Sequence, residues 1–357
     1  MKHKQGGLRP IAVDLYCGAG GLTRGLLDAG LDVRAGYDID EHCRHAYEHN
    51  NSPAVFHAKS VADLKAKDVE AHYEADRIRV LVGCAPCVTF STYTQGQNRS
   101  KDPKWSLLRQ FTRLVKEVKP EIVSMENVPG LQKTSVFRDF LKVLREEGFH
   151  FSDDAQKRLV YCPDYGIPQH RTRLVLIASR LGPIDLIEPT HTSARYRSVK
   201  DALKGLPPLE AGEVSPKDSL HRASGLSSLN LRRIRQSKPG GSWRLWPAKL
   251  VAKCHKKKKG RTYGSVYGRM SWNKPSPTIT TQFHGFGNGR FGHPEQDRAL
   301  SLREGAILQS FPSTYAFAKD AEYSLQAVAR MIGNAVPVEL GAVIGKSINL
   351  HLAKHGR

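Results

Sequence analysis

A chain of 357 residues can bury a full core and is long enough for two domains. Lysine and arginine number 55 against 34 acidic residues, a net charge of +21 and a pI near 9.8. Each cation set on a phosphate releases a condensed counterion, so a polyanion is the expected partner. No stretch approaches the roughly 20 apolar residues of a membrane span, no basic amphipathic helix or lipidation signal offers a membrane surface, and the basic start Met1 to Pro10 leads into no apolar segment of signal-peptide length. Nucleic acid is therefore favoured over a membrane, and a cytoplasmic, nucleoid-associated location with six reduced cysteines is expected.

Through the first half, apolar strands alternate with helical patterns, the mark of a parallel sheet in an α/β fold. Pro10 to Tyr16 reads as a strand, Leu22 to Ala29 as a helix, Leu31 to Tyr37 as a strand and Glu41 to His49 as a helix. Ile78 to Val82 is a strand, Trp105 to Val118 an amphipathic helix, Glu121 to Met125 a strand, and Phe137 to Glu147 a helix stopped by Gly148. Leu159 to Cys162 and Arg173 to Ala178 form a strand pair. From about Leu181 to Gly268 periodicity is weak, Pro, Gly and Ser are frequent, and basic runs gather at Arg232-Arg233-Ile234-Arg235 and Lys256 to Lys259. Order returns with helices at Ser301 to Ser310, Ser324 to Ile332 and Val338 to Leu352. The expected division is a main domain of residues 1–180 and 318–357 around a smaller, irregular domain of residues 181–317.

Three strand ends carry chemistry. Asp14-Leu15-Tyr16-Cys17-Gly18-Ala19-Gly20-Gly21 is a strand, a glycine turn and a helix start, where backbone can approach a ligand closely. Asp38 ends the next strand, 20 residues beyond Gly18, where an acid takes ribose hydroxyls. The dinucleotide fingerprint would need glycine at position 23, which is Thr23, so a nucleoside cofactor without a pyrophosphate fits better, such as S-adenosylmethionine. A purely structural glycine turn is the competing reading.

Cys87, in Gly83-Cys84-Ala85-Pro86-Cys87-Val88-Thr89-Phe90-Ser91, follows a strand at the edge where open α/β sheets do their chemistry. As a thiolate it is a nucleophile; the alternative is a buried, inert cysteine. Cys84 and Cys87 form C-x-x-C, but Cys162 and Cys254-His255 supply no second pair for zinc, so no metal is expected. Glu126 ends Pro120 to Glu126, an apolar strand closing in an acid able to bond a ring nitrogen; the alternative is a solvated rim charge. In Gln169-His170-Arg171-Thr172-Arg173, alternation puts both arginines on one face, to hold a phosphate, to steer the glutamate, or simply to line an edge strand.

Together these segments resemble the DNA (cytosine-5)-methyltransferase family, in order along nearly the whole chain. Asp14 to Gly21 resembles its cofactor motif, Pro86-Cys87 its nucleophile motif, Glu126-Asn127-Val128 its Glu-Asn-Val motif, and Gln169, Arg171 and Arg173 its Gln-x-Arg-x-Arg motif. Arg269 to Thr280 is similar to the ninth motif and Gly333-Asn334-Ala335-Val336-Pro337 to the tenth. Departures are Val88 for glutamine, Tyr16 for phenylalanine, Ser60 for an aspartate near the adenine, and Lys104 for arginine.

The resemblance implies a Rossmann-like, S-adenosylmethionine-dependent methyltransferase fold with a small target-recognition domain. It implies a sequence-specific enzyme that methylates C5 of a flipped-out cytosine in duplex DNA, in a restriction-modification pair or standing alone. Cys87, Glu126, Arg171 and Arg173 are the expected catalytic residues; Tyr16, Gly18, Gly20, Asp38, Ile39, Pro86 and Asn334 the expected cofactor contacts; Ser91, Gln169, Arg232, Arg233, Lys256 and Lys257 the expected DNA contacts. Double-stranded DNA is the implied partner, with a cognate restriction endonuclease acting on the same site and a monomer as the working state. A tRNA cytosine-5 methyltransferase and a catalytically weak DNA-binding regulator on the same fold compete. The basic segment between Arg180 and Arg269 favours duplex DNA, and intact Cys87 and Glu126 argue against the regulator. Trp243 and Trp246 are expected to pack in the small domain rather than wedge a duplex.

Overall fold

The computed structural model describes residues 9–86, 105–319 and 323–356, with Trp105 and Ser106 described by backbone alone. The chain divides into two compact units, one of Met1–Tyr161, Thr172–Pro189 and Val336–Arg357, the other of Cys162–Arg171 and Thr190–Ala335.

The first unit is built on a seven-stranded sheet, β1 (Ile11–Leu15), β2 (Asp32–Asp38), β3 (Val55–Ala58), β4 (Arg79–Gly83), β5 (Ile122–Asn127), β6 (Leu159–Tyr161) and β7 (Thr172–Ser179), in the order β3-β2-β1-β4-β5-β7-β6. β1 to β5 pair in parallel; β7 runs antiparallel to β5, and β6 antiparallel to β7. This is the expected α/β sheet, with a strand the sequence reading passed over: β3 is a short edge element behind Pro53. All five residues of β1 are buried, which is why it reads as a nearly continuous apolar run. Strand order reverses between β1 and β4, so the carboxyl ends of β1, β2, β4 and β5 line one edge around the crevice where such sheets bind ligands.

Helices α1 (Gly21–Asp28), α2 (Arg44–Asn51), α3 (Ala66–Glu70), α4 (Trp105–Val118) and α5 (Ser135–Glu146) connect the strands. Phe111, Leu114, Phe137 and Phe140 of α4 and α5 share one apolar cluster with Val13, Leu81, Val123 and Met125 of the sheet.

The second unit contains the pair β8 (Val214–Ser215) and β9 (Asp218–Arg222) and helices α6 (Val199–Leu203), α7 (Ser228–Gln236), α8 (Lys253–Lys256), α9 (Leu302–Leu308) and α10 (Leu325–Asn334). Where regular ladders are few, backbone carbonyls must find other donors, and here buried arginines supply them. Arg269 donates to the carbonyls of Ser237, Ile234 and His293 at 2.7, 3.2 and 2.9 Å, and fully buried Arg298 grips both oxygens of Glu304 at 2.7 Å. Trp243 and Trp246 belong to a local core with Ile234, Leu250 and Phe286; their indole N–H groups donate to Tyr263 O and Ser237 Oγ at 2.7 and 2.8 Å. The sequence reading puts 162–171 and 318–335 with the main domain. They fall in the second unit because Gln169 and Arg171 bond to backbone at Leu308, Ile279 and Ala335, and because α10 packs on α9.

The closing helix α11 (Val338–Lys354) returns to the first unit and lies against α1 at backbone distance. A Cβ on Gly25 would sit 2.2 Å from Val338 O, and one on Gly341 2.8 Å from Leu22 O. The stretch Leu325–Lys354 is long and apolar enough to cross a membrane by composition, but it is two helices broken between Asn334 and Val338, and 67% of its most apolar window is buried. Because backbone cannot retreat as a flexible side chain can, Gly25→Ala is expected to destabilise the protein by about 2 kcal/mol or more, measured as a lowered urea midpoint at unchanged m-value.

Candidate active site

The turn after β1 has the backbone its glycines promise: Gly18 and Gly20 take φ of 49° and 87°, and Tyr16 itself sits at 61°. A Cβ on Gly18 would meet nothing within 4 Å, so that side of the turn is open. Gly18 N donates to Asp38 Oδ2 at 2.9 Å, and Asp38 Oδ1 accepts from Asp40 N at 3.0 Å, which joins the end of β2 to the turn. Ile39 follows with 74% of its surface exposed, an aliphatic face with no packing role. An open glycine turn, a carboxylate with spare lone pairs and an exposed aliphatic face fit a nucleoside. Tyr16 uses the hydroxyl that phenylalanine would lack to donate to Leu107 O at 2.8 Å, tying the turn to α4; burial pushes its phenol upward. Ser60 spends its hydroxyl on Ala62 N at 3.2 Å, capping the short turn that follows.

Beneath the turn Asp14 is fully buried. Its Oδ2 accepts from Thr23 Oγ1 at 2.7 Å, Thr23 in turn meets Tyr47 Oη at 3.0 Å, and Oδ1 has no hydrogen-bond partner. Burial raises this carboxyl to about 7, the nearby charge of Asp38 adding to it.

At the other side of the crevice, Glu126, one residue before the end of β5, is only 3% exposed. Cys84 Sγ donates to its Oε2 at 2.8 Å. Arg173 Nε stands 3.0 Å from Oε1 but off the N–H direction, so the contact is ionic and buried Oε1 accepts no hydrogen bond. Asn127 Nδ2 donates to Ala85 O at 2.8 Å, holding the chain two residues before Cys87. Pro86 is exposed. Cys87, Val88, Ser91 and Lys104 lie outside the described residues. Glu126 and Arg173 are thus together, and Cys84 and Asn127 join them without any local signal in the sequence, since both act across 42 residues of chain.

The remaining candidates lie in the second unit. Gln169, expected on DNA, is fully buried: Nε2 donates to Leu308 O at 3.0 Å and Gln309 Oε1 at 2.8 Å, and Oε1 accepts from Ile279 N at 2.9 Å. That corrects the expectation, since no part of its amide reaches the surface. Buried Arg171 donates to Ile279 O at 3.2 Å and Ala335 O at 3.4 Å, linking the ninth-motif and tenth-motif backbones. Asn334 is exposed at the end of α10. Arg233 lies over the rings of Trp246 and Tyr267 at 5.6 and 5.5 Å and donates to Leu250 O at 2.9 Å, which makes it a part of the local core. Arg232, Lys256 and Lys257 are exposed.

The family model described as C-5 cytosine-specific DNA methylase matches residues 11–350. The chain belongs to this family. The methylase is 50% identical over 343 residues to the type II methylase M.HgiDII of Herpetosiphon aurantiacus, covering 95% of each chain. It is 30% identical to the type II methyltransferase M1.BsuMI of Bacillus subtilis, over 93% of this chain and 78% of that one. Among solved structures, a prophage-encoded protein of E. coli gives a TM-score of 0.72 at 22% identity over 96% of this chain and 99% of its own. Entamoeba histolytica methyltransferase EhMeth gives 0.68 at 14% identity over 97% and 99%. Likenesses at these identities speak to the fold, which is the Rossmann-like methyltransferase fold expected. The methylase is a DNA cytosine-5 methyltransferase and uses S-adenosylmethionine as methyl donor.

Asp14 makes the methylase sensitive to pH. Its folded value of about 7 lies well above the ordinary carboxylate range, so the folded state binds the proton more tightly. Its stability cost is absent below the unfolded value, grows as pH rises between the two and is complete above the folded value; the whole is on the order of 4 kcal/mol. Asp14→Asn keeps an acceptor for Thr23 and removes the charge. Urea unfolding at several pH values is expected to show the variant gaining on the parent between pH 4 and 7 and holding a constant lead above.

Proposed function

We propose that the methylase acts on duplex DNA in one short sequence context, through Cys87, Glu126 and Arg173 in the first unit. The observation that carries this reading is the buried Glu126 carboxylate at the end of β5, ionically paired with Arg173 and keeping one oxygen unbonded. A base is accessible at C5 and C6 only outside the stack, so the target cytosine is flipped out. The Cys87 thiolate adds to C6 and makes C5 nucleophilic. Glu126 hydrogen-bonds N3 and the exocyclic amine as charge builds on the ring. Bound S-adenosylmethionine supplies the methyl group that C5 takes. Loss of the C5 proton then expels the Cys87 sulfur and restores the ring.

For the cofactor, Gly18 and Gly20 allow close approach, Asp38 takes the ribose hydroxyls and Ile39 packs on the adenine, with Tyr16, Pro86 and Asn334 as further contacts. The second unit reads the target: Arg232, Lys256, Lys257 and the neighbouring lysines stand exposed for phosphates. A restriction endonuclease with the same target, a monomeric working state and a cytoplasmic location complete the reading.

With tritiated S-adenosylmethionine and unmethylated duplex DNA, 5-methylcytosine is expected at one short site, and Cys87→Ser is expected to abolish it. Transfer to tRNA but not DNA would overturn the duplex assignment, and normal transfer by Cys87→Ser the nucleophile. Replacing Lys256, Lys257, Lys258 and Lys259 by alanine is expected to weaken binding to all sequences alike and to lower the salt slope by about one per lost phosphate contact. A changed target sequence in that variant would argue for base readout.

A further inference from the structure

Cys84 follows β4 directly. Its amide donates to Leu15 O at 3.3 Å and its thiol to Glu126 Oε2 at 2.8 Å. One residue on, Ala85 O accepts from Asn127 Nδ2 at 2.8 Å. Two successive residues at the end of β5 therefore grip two successive residues beyond β4. Glu126 Oε1, buried, accepts no hydrogen bond and has the Arg173 guanidinium 3.0 Å away.

We propose that Cys84 is a positioning residue for methyl transfer: its S–H anchors Oε2 of Glu126, so that Oε1 is the oxygen left to meet the target base. The proposal rests on the reading of Glu126 as the residue that bonds the cytosine. The last torsion of a glutamate is broad and roughly two-fold, so a carboxylate held at one oxygen can rotate. An ionic contact off the N–H direction attracts the group without fixing its plane, and a directed bond to the second oxygen removes that freedom. A thiol suits the task because even a weak donor, once directed at one oxygen, sets the plane of the carboxylate. The same bond separates the two cysteines of Cys84-Ala85-Pro86-Cys87. A sulfur that holds its S–H in a hydrogen bond to a buried carboxylate is engaged as a thiol, and the nucleophilic form is the thiolate, which leaves attack to Cys87.

The test uses the full-length enzyme with Cys84→Ala, Cys84→Ser and Glu126→Gln, read by single-turnover methylation of saturating duplex DNA. Equilibrium binding of DNA and of S-adenosylmethionine is measured beside it. Cys84→Ala is expected to lower the single-turnover rate about tenfold, the worth of one hydrogen bond to a charged group, with both binding constants unchanged. Cys84→Ser, which keeps a donor at the same place, is expected to recover most of the rate. A parental rate in Cys84→Ala overturns the proposal. So does an equal loss in both Cys84 variants together with weakened DNA binding, which is the outcome of a packing role. Should Cys84→Ala fail to fold, Cys84→Ser decides alone, and a tenfold loss of its single-turnover rate overturns the proposal. Parental activity in Glu126→Gln overturns the reading of Glu126 itself, and the role of Cys84 with it. An inactive Glu126→Gln beside a normal Cys84→Ala overturns only the role of Cys84.

Discussion

Burying a carboxylate at the end of a central strand is the constraint around which the first unit is arranged. An isolated charge removed from water costs several kcal/mol unless a counter-charge and hydrogen bonds meet it. The sheet supplies the counter-charge through strand direction. Because β7 runs antiparallel to β5, pairing Glu126 with Val175 and Asn127 with Leu174, the start of β7 lies beside the end of β5. Arg173 thereby reaches Glu126 from a neighbouring strand. A parallel seventh strand would deliver its first residues to the opposite edge of the sheet.

The rest of the crevice repeats the principle with weaker bonds. Each strand end is fastened to the next: the turn after β1 to β2 by Gly18 N and Asp38, β4 to β1 by Cys84 N and Leu15 O, and β4 to β5 by Cys84 and Asn127. Single bonds of this kind contribute about 1 kcal/mol each. Their larger effect is geometric, since they join groups from four strands into one rim. Chemistry that tolerates errors of less than an ångström needs such joining.

Much of this was legible in the sequence where the signal is local. The apolar runs of β1, β4 and β5 announce buried strands, the glycines of positions 18 and 20 announce a turn with positive φ, and Asp38 falls at the next strand end. β3 escaped because an edge strand of four residues behind a proline has no alternation long enough to read. α7 escaped because Ile234 is its one buried residue, a helix held by its surroundings more than by an apolar stripe. Gln169 misled for another reason. A polar residue beside arginines reads as surface, and its burial is decided by partners at Ile279, Leu308 and Gln309, more than a hundred positions away. Cys84 was set aside in favour of its neighbour, since only the folded chain brings Glu126 to its sulfur.

The tie between Tyr16 and Leu107 has a consequence for how such an enzyme can evolve. Asn127 pins the chain at Ala85, and Tyr16 pins it again at the start of α4, so both stems of the segment carrying Cys87 are fastened to the sheet. Closing a chain between two fixed points becomes only about 0.6 kcal/mol harder for each doubling of its length. Insertions and substitutions between the two stems are therefore inexpensive to the fold, while the stems themselves stay fastened to the sheet. Lineages of this enzyme are free to rewrite the sequence between the stems without rebuilding the sheet edge that holds them.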